Sequence, residues 1–353
     1  MATIVLTGGG TAGHCTPNLA IIPYLKNDFD KIIYIGSENG IEKNIIENTD
    51  IPYYPISCAK FNRSFILKNI SMPFKVIKGI KQAGKILDKE KPSVIFSKGG
   101  FVAIPTVIAG ARRNIPIITH ESDYTIGLAN KISSLFCKKV LTSFPETAKT
   151  IKNGEYVGSP IRKSLFSVSK KDALESFGFS GNKPIILVTG GSQGALALNN
   201  AIKSLLPQLL TKFDILHICG KNNLLQEKVP KGYVQIEYLN KMENAFAVAD
   251  ICISRAGSNT LFELMCLKIP TILIPLPKGV SRGDQELNAK YFQKLGLIYL
   301  LEQEQLTDKS LLFAINSVYA NRFNILRNFA NTPINDASRQ ISRIIADFKK
   351  EIN

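Results

Sequence analysis

The chain contains the same strand, glycine loop and helix pattern twice, once near its start and once beyond its middle. The first copy leads from Ile4 into the glycine-rich segment Gly8–His14, and the second leads from Ile185 into Gly190–Ala195. Glycine allows positive φ and lets a ligand approach the backbone closely. A helix that begins there offers N–H groups and a positive dipole end to an anion. Two such copies predict two nucleotide-type domains that face one cleft, as in an enzyme with two substrates.

Short apolar segments of β-type residues alternate with segments of helical periodicity, such as Thr16–Lys26 and Pro73–Glu90, along the whole chain. This alternation predicts parallel, doubly wound sheets, and 353 residues are enough for two cores. The predicted fold class is therefore α/β with two Rossmann-like domains. The predicted strands are Ile4–Thr7, Ile32–Ile35, Tyr53–Ile56, Val94–Ser97, Ile115–Thr119 and Val140–Thr142 in the first half, then Ile185–Thr189, Ile215–Cys219, Val234–Glu237, Ile251–Ser254, Thr271–Pro275 and Leu297–Leu300.

A turn of Gly158, Ser159 and Pro160 closes the first half. We place the domain boundary there, which gives an N-terminal domain over residues 1–160 and a C-terminal domain over residues 161–333. Residues 334–353 are predicted to form a final helix that is capped by Asn335 or Asp336. Its apolar stripe comprises Ile341, Ile344, Ile345 and Phe348.

The charge balance limits the class of partner. The chain carries 44 Lys and Arg against 28 Asp and Glu, a formal charge of +16, which favours phosphates, anionic lipid or nucleic acid without choosing among them. Its six cysteines are scattered and form no C-x-x-C motif, as expected for reduced, buried thiols in a cytosolic protein. We recognise neither a signal-peptide pattern nor an apolar segment of roughly 20 residues that would span a membrane. We therefore expect a cytosolic protein that is able to lie on a membrane surface.

Basic and apolar residues are interleaved between Lys60 and Lys91. This combination is typical of a segment that lies on an anionic bilayer, where each basic residue contributes about 1 kcal/mol. The alternative is a solvated lysine face on an ordinary core helix. The basic residues of the predicted membrane patch are Arg63, Lys68, Lys75, Lys78, Lys81 and Lys85.

Gly8, Gly10 and Gly13 in the first loop have the spacing of a dinucleotide fingerprint. An NAD site also needs an acidic residue after the next strand, and Glu38 fits that position imperfectly, so NAD is only an alternative. His14 stands where the loop becomes a helix, a place that faces the ligand in doubly wound folds. It is predicted to accept a proton from a sugar hydroxyl. The alternative for His14 is a helix-start residue that bonds its own loop.

The segment Ile253–Glu263 is predicted to pass from a strand through a turn of small residues into a helix. Ser258, Asn259 and Thr260 place hydroxyl and amide groups beside backbone N–H groups at the helix start, which suits a diphosphate. Glu263, one helical turn further on, is placed to accept two hydrogen bonds from a ribose diol. The alternative is a simple capping box of Asn259 or Thr260 with Glu263.

Other polar segments also stand beside predicted strands. Gln285 and Asn288 share a helix face and are candidates for sugar contacts, with a polar helix start as the alternative. His120–Asp123 follows the strand Ile115–Thr119 and either faces the cleft or contains a His–Glu pair that shapes the loop. Asp28–Asp30 matches a D-x-D manganese motif but lies in a turn before a strand. We interpret it as structural and predict no bound metal.

Five motifs occur in the order that is seen in the MurG family of bacterial glycosyltransferases. The resemblance to that family runs from Ile4 to about Ala346, which is nearly the whole chain. The motifs are Gly9-Gly10-Thr11-Ala12-Gly13-His14, Ser97-Lys98-Gly99-Gly100-Phe101, His120-Glu121-Ser122-Asp123, Gly190-Gly191-Ser192-Gln193-Gly194 and Ala256-Gly257-Ser258-Asn259-Thr260-x-x-Glu263.

The resemblance implies an inverting, two-domain GT-B hexosyltransferase. Its reaction would move GlcNAc from UDP-GlcNAc to the 4-hydroxyl of MurNAc in undecaprenyl-diphospho-MurNAc-pentapeptide, which converts lipid I to lipid II in peptidoglycan synthesis. The nucleotide sugar would bind mainly to the C-terminal domain, and lipid I would reach the N-terminal domain at the cytoplasmic face of the cell membrane. The last helix would return to the first domain. The resemblance implies no cofactor and no nucleic acid, and it leaves room for partners among cell-wall and division proteins.

The family pattern also implies roles for individual residues. The implied catalytic group is His14, Thr11 and Glu121. The implied contacts of UDP-GlcNAc are Thr11, Ala12, Gly13, Asp123, Arg162, Ser192, Leu239, Ser258, Asn259, Thr260, Glu263 and Gln285. The implied loop for the acceptor and its diphosphate comprises Gly9, Gly10, Gly99, Gly100 and His120. Helix-end N–H groups, with Arg162 and Ser192, would stabilise the growing charge of the leaving UDP without metal.

The chain departs from the common family pattern at three positions. Ala12 replaces a glycine of the first loop, Asp123 stands where many members have asparagine, and Asp284 precedes Gln285 where many have two glutamines. Three other interpretations stay open on the sequence alone. They are a GT-B enzyme with another lipid acceptor such as diacylglycerol, a UDP-sugar epimerase, and a non-catalytic nucleotide-binding protein on the membrane.

Overall fold

The computed structural model describes residues 2–59, 72–191, 194–225, 229–277, 279, 282–332 and 334–350. The chain divides into two compact units. The N-terminal unit comprises Met1–Arg162 together with Asp336–Asn353, and the C-terminal unit comprises Lys163–Asn335. Each unit is built around a parallel sheet of its own.

Strands and helices alternate along the chain. The strands are β1 (Thr3–Thr7), β2 (Lys31–Ser37), β3 (Tyr53–Ile56), β4 (Val94–Ser97), β5 (Ile117–Glu121), β6 (Lys139–Thr142), β7 (Gly154–Tyr156), β8 (Ile185–Thr189), β9 (Asp214–Ile218), β10 (Tyr233–Ile236), β11 (Ile251–Ser254), β12 (Thr271–Leu273) and β13 (Ile298–Leu300). The helices are α1 (Thr16–Leu25), α2 (Ile41–Glu47), α3 (Met72–Glu90), α4 (Ala103–Ala111), α5 (Leu128–Ser133), α6 (Pro145–Lys149), α7 (Lys170–Phe177), α8 (Leu196–Leu209), α9 (Met242–Val248), α10 (Ser258–Cys266), α11 (Asp284–Lys294), α12 (Asp308–Asn331) and α13 (Ser338–Lys350).

In the described part of the N-terminal unit, seven strands form the sheet, in the order β3-β2-β1-β4-β5-β6-β7. All neighbouring pairs are parallel. Every residue of β1, β4 and β5 is buried, as expected where both faces of a parallel sheet are covered. Helix α13 belongs to this unit, because its residues Ile341 and Ile345 share a core cluster with Ile21 and Leu25 of α1.

The start of α13 is tied to the end of the unit's first chain segment. Asp336 Oδ1 accepts hydrogen bonds from the N–H groups of Ser338 at 2.8 Å and Ile161 at 2.9 Å. Of the two predicted capping residues, Asp336 is therefore the one that binds an N–H group at the start of α13. The apolar stripe predicted for this helix is confirmed, since Ile344 and Phe348 pack against the same cluster as its two buried isoleucines.

Among the described residues of the C-terminal unit, six strands form the sheet, in the order β10-β9-β8-β11-β12-β13. These pairs are also parallel. One face of the sheet is covered by the apolar sides of α8 and α12, where Leu198, Ile202, Leu311 and Ile315 are buried together. Both sheets thus have the strand order of a doubly wound Rossmann-like fold, and the predicted fold class is confirmed.

The predicted strands are present, with small shifts at their ends, but two details of the prediction are wrong. The strand Ile115–Thr119 is observed as β5, Ile117–Glu121. Its start shifts because the N–H of Ile115 donates to Gly110 in the preceding turn and Pro116 has no N–H for the sheet. The structure also adds the short edge strand β7, Gly154–Tyr156, which has no alternating apolar pattern to reveal it.

The cysteines and the apolar helices can be compared with the predictions made from composition. The six cysteines are free thiols, four buried and two half-buried. Within the part of the chain that the structure describes, we find no helix whose length and apolar character would let it cross a bilayer.

Candidate functional site

The glycine loops lie where the strand order of each sheet reverses. In the N-terminal unit β1 and β4 are neighbours, and the segments that follow them begin at Gly8 and Lys98. In the C-terminal unit β8 and β11 are neighbours, and the segments that follow them begin at Gly190 and Arg255. Doubly wound folds bind ligands at this edge of the sheet. Each unit therefore has a candidate site formed by two loops.

The two glycine loops of the N-terminal unit pack directly against each other. Gly10 and Gly100 have φ angles of 87° and 79°, which side chains rarely adopt. The N–H of Gly9 donates to the Gly99 carbonyl at 3.4 Å. A Cβ atom on Gly100 would lie only 2.2 Å from the Gly9 carbonyl oxygen. Packing of the loops therefore requires these glycines independently of any ligand.

A buried glutamate, Glu42, holds the first glycine loop. Its carboxylate accepts hydrogen bonds from the N–H of Gly10 at 3.0 Å, the N–H of Ser37 at 3.1 Å and the Ser37 hydroxyl at 2.5 Å. The residue is 0% exposed, and a buried carboxylate is tolerated only when hydrogen bonds replace its water. Tyr34 adds a bond from its hydroxyl to the Gly8 carbonyl at 2.6 Å. Glu42 lies outside every motif recognised in the sequence.

His14 ends a short 3₁₀ helix, Ala12–His14, at the mouth of this loop. Its Nδ1 lies 2.8 Å from the hydroxyl oxygen of Thr11. Thr11 is exposed and His14 is half-buried, so the pair is accessible from solvent. The contact is the loop bond that the alternative interpretation of His14 expects, and it also orients the ring. Ala12 lies in right-handed helical backbone, which accommodates a Cβ atom, so the departure from glycine does not disturb the loop.

The carboxylate of Glu121 orders the loop that follows β5. Its Oε1 accepts from the N–H of Asp123 at 3.0 Å. Its Oε2 accepts from the N–H of Gly127 and from the Asn130 amide, both at 2.9 Å. Burial raises the pKa of Glu121, and the nearby Asp123 raises that pKa further. These bonds are those of a residue that shapes a loop, which differs from the catalytic role implied by the family pattern.

His120 is fully buried inside β5. Its Nε2 lies 2.9 Å from the carbonyl oxygen of Gly158, so Nε2 carries the proton. Burial lowers the pKa of His120 well below its ordinary value, and the positive charge of Lys98 lowers it further. The imidazole is therefore neutral near pH 7 and supplies no positive charge to a diphosphate. Its bond to Gly158 agrees with the loop-shaping interpretation.

The loop after β8 in the C-terminal unit is also shaped by glycines. Gly191 and Gly194 have φ angles of 83° and 74°, and the N–H of Gly194 donates to the Gly191 carbonyl at 3.0 Å. A Cβ atom on Gly194 would lie 2.3 Å from the carbonyl oxygen of Cys219, whereas around Gly191 that position has no described atom within 4 Å. Ser192 lies outside the described residues. Gly194 is therefore required by packing, whereas no such packing requirement is seen at Gly191 among the described atoms.

Helix α10 begins at the end of β11 without a side-chain cap. Its N-cap residue is Gly257, with φ of −65°. Apart from the neighbouring backbone, no described atom lies within 4 Å of the position that a Cβ atom on Gly257 would take. Leu261 makes the first bond of the helix, to the Gly257 carbonyl at 3.0 Å. The N–H groups of Ser258, Asn259 and Thr260 therefore precede the helix's own hydrogen bonds. The capping-box alternative is wrong, because the N-cap is Gly257 and both Asn259 and Thr260 lie inside the helix.

Two polar residues of α11 support the neighbouring loops. Asn288 is fully buried and donates to the Ala256 carbonyl at 3.3 Å. It is therefore not accessible to a sugar, and its predicted sugar contact is wrong. Gln285 accepts a hydrogen bond from the N–H of Leu276 through its Oε1 at 3.1 Å. Gln285 is half-buried, and its carbonyl is used by the loop after β12.

The outward face of α3 combines lysines with apolar side chains. Phe74 and Ile77 are 74% and 52% exposed, beside a groove of about 390 Å³. Exposed apolar side chains beside lysines are the combination expected of a membrane-surface helix. Arg63 and Lys68 lie outside the described residues. The exposed lysines of α3 from the predicted patch are Lys75, Lys78, Lys81 and Lys85.

Comparisons with known proteins cover both units. Residues 4–142 match the N-terminal domain of glycosyltransferase family 28, and residues 185–345 match its C-terminal domain. A UDP-N-acetylglucosamine--N-acetylmuramyl-(pentapeptide) pyrophosphoryl-undecaprenol N-acetylglucosamine transferase of Clostridium botulinum (strain Loch Maree / Type A3) is 47% identical over 99% of this chain and 100% of its own. The chain belongs to glycosyltransferase family 28. A protein of Clostridium kluyveri with the same name is 48% identical over 99% of this chain and 100% of its own.

Solved structures share the fold of this family 28 chain. The crystal structure of Acinetobacter baumannii MurG covers 98% of this chain and 100% of its own, with a TM-score of 0.76 at 24% identity. The glycotransferase of kitacinnamycin covers 98% of both chains, with a TM-score of 0.74 at 13% identity. At these identities the likeness concerns the fold alone, and it agrees with the predicted GT-B type.

The structure also gives the positions of three other predicted site residues and of the residues that bear on metal binding. Arg162 closes the first segment of the N-terminal unit, and Leu239 follows β10 in the other unit. Asp123 is half-buried in the loop after β5. Among the residues with described positions, no three or more His, Cys, Asp or Glu are grouped to hold a metal ion. Asp30 of the D-x-D segment accepts a bond from the N–H of Ala2 at 2.6 Å.

Proposed function

We propose that the chain transfers GlcNAc from UDP-GlcNAc to the MurNAc sugar of MurNAc-pentapeptide pyrophosphoryl-undecaprenol, lipid I, to give lipid II in peptidoglycan synthesis. The observation that carries this proposal is the 47% identity, over 99% of the chain, to relatives whose names state the activity. The geometry supports it, because a transferase needs two ligand sites and each unit has a candidate site at its switch point.

The C-terminal unit is proposed to bind the UDP moiety. The N–H groups at the start of α10 and the positive end of its dipole suit a diphosphate. Among the described residues no side chain lies within 4 Å of the Cβ positions of Gly191 and Gly257, which would let phosphate oxygens approach the backbone. Glu263 is proposed to accept hydrogen bonds from the ribose hydroxyls. Further proposed contacts of UDP-GlcNAc are Ala12, Gly13, Arg162, Ser192, Leu239 and Gln285.

The N-terminal unit is proposed to bind the acceptor and to activate its 4-hydroxyl. Nδ1 of His14 donates to the Thr11 hydroxyl in this scheme, which leaves Nε2 as the basic nitrogen. Nε2 takes the proton of the acceptor hydroxyl as the oxygen attacks C1 of GlcNAc. The bond from C1 to the diphosphate oxygen breaks, its electron pair leaves with UDP, and the configuration at C1 inverts. Glu121 orders the loop that carries Asp123 and is assigned no proton transfer.

The growing negative charge on UDP is proposed to be stabilised by the protein alone. The first turn of α10 supplies fixed N–H dipoles, which need no reorganisation as the charge develops. We propose no metal and no cofactor for this step, and no nucleic-acid partner.

The exposed face of α3 is proposed to place the enzyme on the anionic inner surface of the cell membrane, where lipid I is found. Phe74 and Ile77 would enter the interface while the lysines remain among the headgroups. This proposal describes a peripheral protein. Contacts with cell-wall or division proteins are compatible with it.

UDP release from UDP-GlcNAc, with and without a soluble lipid I analogue, tests the proposed reaction. We expect release that depends on the acceptor and appears with a new β-1,4-linked disaccharide. UDP-GalNAc serves as the parallel donor and should react more slowly. Acceptor-independent release, or no release at saturating concentrations of both substrates, contradicts the proposal. Transfer to diacylglycerol in place of the lipid I analogue would identify a different acceptor class.

A further inference from the structure

A lysine is buried at the end of β4, beside the loop that follows β5. Lys98 is 1% exposed, and its ammonium group donates a hydrogen bond to the hydroxyl of Ser122. Removing an ammonium group from water is unfavourable unless hydrogen bonds or opposite charges replace the solvent. The reaction scheme above assigns this lysine no role.

Two carboxylates compensate the charge of Lys98. Burial lowers the pKa of Lys98 to about 8, and the carboxylates of Glu121 and then Asp123 oppose that fall. Both oxygens of Glu121 are also bonded to the loop, through Asp123, Gly127 and Asn130. Asp123 is half-buried, whereas Glu121 and Lys98 are buried. Asp123 is therefore the carboxylate of this group that lies nearest the solvent side, where a substrate arrives.

We propose that Lys98 is a positioning residue, whose buried ammonium group fixes the Ser122–Asp123 turn through its hydrogen bond to Ser122, so that the Asp123 carboxylate is held where it offers a sugar hydroxyl only hydrogen-bond acceptors. An ionised carboxylate accepts from hydroxyls and donates nothing, whereas an asparagine side chain both donates and accepts. The inference rests on the proposed function, since it takes this turn to be part of a sugar site. If the inference is correct, the effect of replacing Asp123 on activity depends on whether Lys98 is present.

Four variants test the coupling: Lys98→Met, Asp123→Asn, the double variant, and Lys131→Met as the control. Methionine keeps the length of the lysine side chain without its charge. Lys131 is an exposed lysine on α5 and has no part in the proposed site. For each variant we would measure kcat and KM for both substrates in the UDP-release assay, and UDP affinity by calorimetry.

We expect Lys98→Met to lower kcat/KM for the acceptor by at least about 10-fold, because it leaves two carboxylates without their cation. The double variant should be more active than Lys98→Met by about 5-fold or more, since asparagine removes the unpaired charge. UDP affinity should stay unchanged in all four proteins. The inference would be overturned if the losses of kcat/KM in Lys98→Met and Asp123→Asn simply multiplied in the double variant. It would also be overturned if Lys98→Met lost no more kcat/KM than Lys131→Met. A wild-type protein that binds UDP but releases none from UDP-GlcNAc would instead refute the proposed function.

A pH profile of Asp123→Asn tests the inference even where Lys98→Met does not fold. The titratable groups around Lys98 are Glu121, Asp123 and His120, with His14 on the adjacent glycine loop. Wild-type kcat/KM should fall as pH rises through about 8 and Lys98 loses its proton. Removal of the Asp123 charge lowers the pKa of Lys98, so the fall should begin at lower pH in Asp123→Asn. An unchanged profile would show that Lys98 and Asp123 are not coupled.

Discussion

The two switch points share a strand order but are built from different groups. In the N-terminal unit, the loops are held by the buried charged side chains of Glu42, Lys98 and Glu121. In the C-terminal unit, α10 starts at Gly257, with no described atom within 4 Å of its Cβ position. One topology thus carries buried, hydrogen-bonded charged side chains in one unit and a helix start with a glycine N-cap in the other.

This contrast matches two chemical tasks. A hydroxyl nucleophile must be oriented and deprotonated, which needs fixed directional groups. A leaving diphosphate needs charge stabilisation from many N–H donors and little side-chain bulk. We therefore expect substitutions in the N-terminal unit to change turnover or stability, and those at α10 to change nucleotide binding.

The largest effect is expected for His14→Ala. Loss of the general base should lower kcat by about 10²–10⁴-fold, with UDP affinity unchanged because the nucleotide is assigned to the other unit. Thr11→Ala keeps the imidazole but removes its partner at 2.8 Å, so its loss should be smaller. Steady-state UDP release and calorimetry measure the two quantities. Wild-type turnover in His14→Ala would remove this residue from the mechanism.

The next largest effect is expected for Glu42→Ala, through stability. The substitution leaves the partly buried N–H groups of Gly10 and Ser37 without their acceptor, which should lower the free energy of unfolding by about 2–4 kcal/mol. Glu47→Ala on the same helix is the matched control. Glu47 is half exposed and pairs with Lys43 at 3.8 Å, a contact expected to contribute under about 0.5 kcal/mol. Urea titration would compare the two variants, and equal losses would mean that Glu42 does not anchor the loop.

Membrane binding should be confined to the N-terminal unit. Replacing Lys78, Lys81 and Lys85 by Gln should weaken binding to phosphatidylglycerol vesicles by roughly 100-fold, at about 1 kcal/mol for each lysine. The control replaces exposed lysines of the C-terminal unit, Lys221, Lys231 and Lys241. Both proteins lose the same charge, so vesicle sedimentation that weakens equally in both would indicate nonspecific attraction without a defined face.

The smallest effect is expected for Gly257→Ala. Its φ of −65° suits alanine, so the free energy of unfolding should change by at most about 1 kcal/mol. The added methyl group stands at the start of α10, and should raise KM for UDP-GlcNAc by about 10-fold. Ser169→Ala is the control, because Ser169 caps α7 in the same unit by accepting from Asp172 at 3.1 Å. It should lose similar stability and leave KM unchanged, and the opposite pattern would place the nucleotide elsewhere.

Local patterns predicted most of the fold. The glycine loops, the strands and the apolar stripe of α13 follow from residue type and spacing. The errors occur where a distant partner or an atypical residue decides. Pro116 delays the start of β5, and β7 is an edge strand of three residues without an apolar pattern.

The candidate site was less accessible to sequence reasoning. Glu42 binds the loop from a helix that is remote in sequence, and nothing in its local sequence marks it as buried. Asn288 shares a helix face with Gln285, which suggested a ligand contact, yet it is buried against Ala256. Lys98 lies within a recognised motif, but its burial and its bond to Ser122 depend on how β4 and β5 pair. Such roles arise from packing over long sequence distances.

Hydrogen exchange of the chain with and without saturating UDP tests the division of tasks most directly. The account predicts slower exchange in peptides that cover Arg255–Glu263 and Gly190–Gly194, because bound phosphate would occupy their N–H groups. Peptides that cover Gly8–His14 and Lys98–Phe101 should exchange as in the free protein. Protection of the N-terminal loops, with none at the start of α10, would contradict the account.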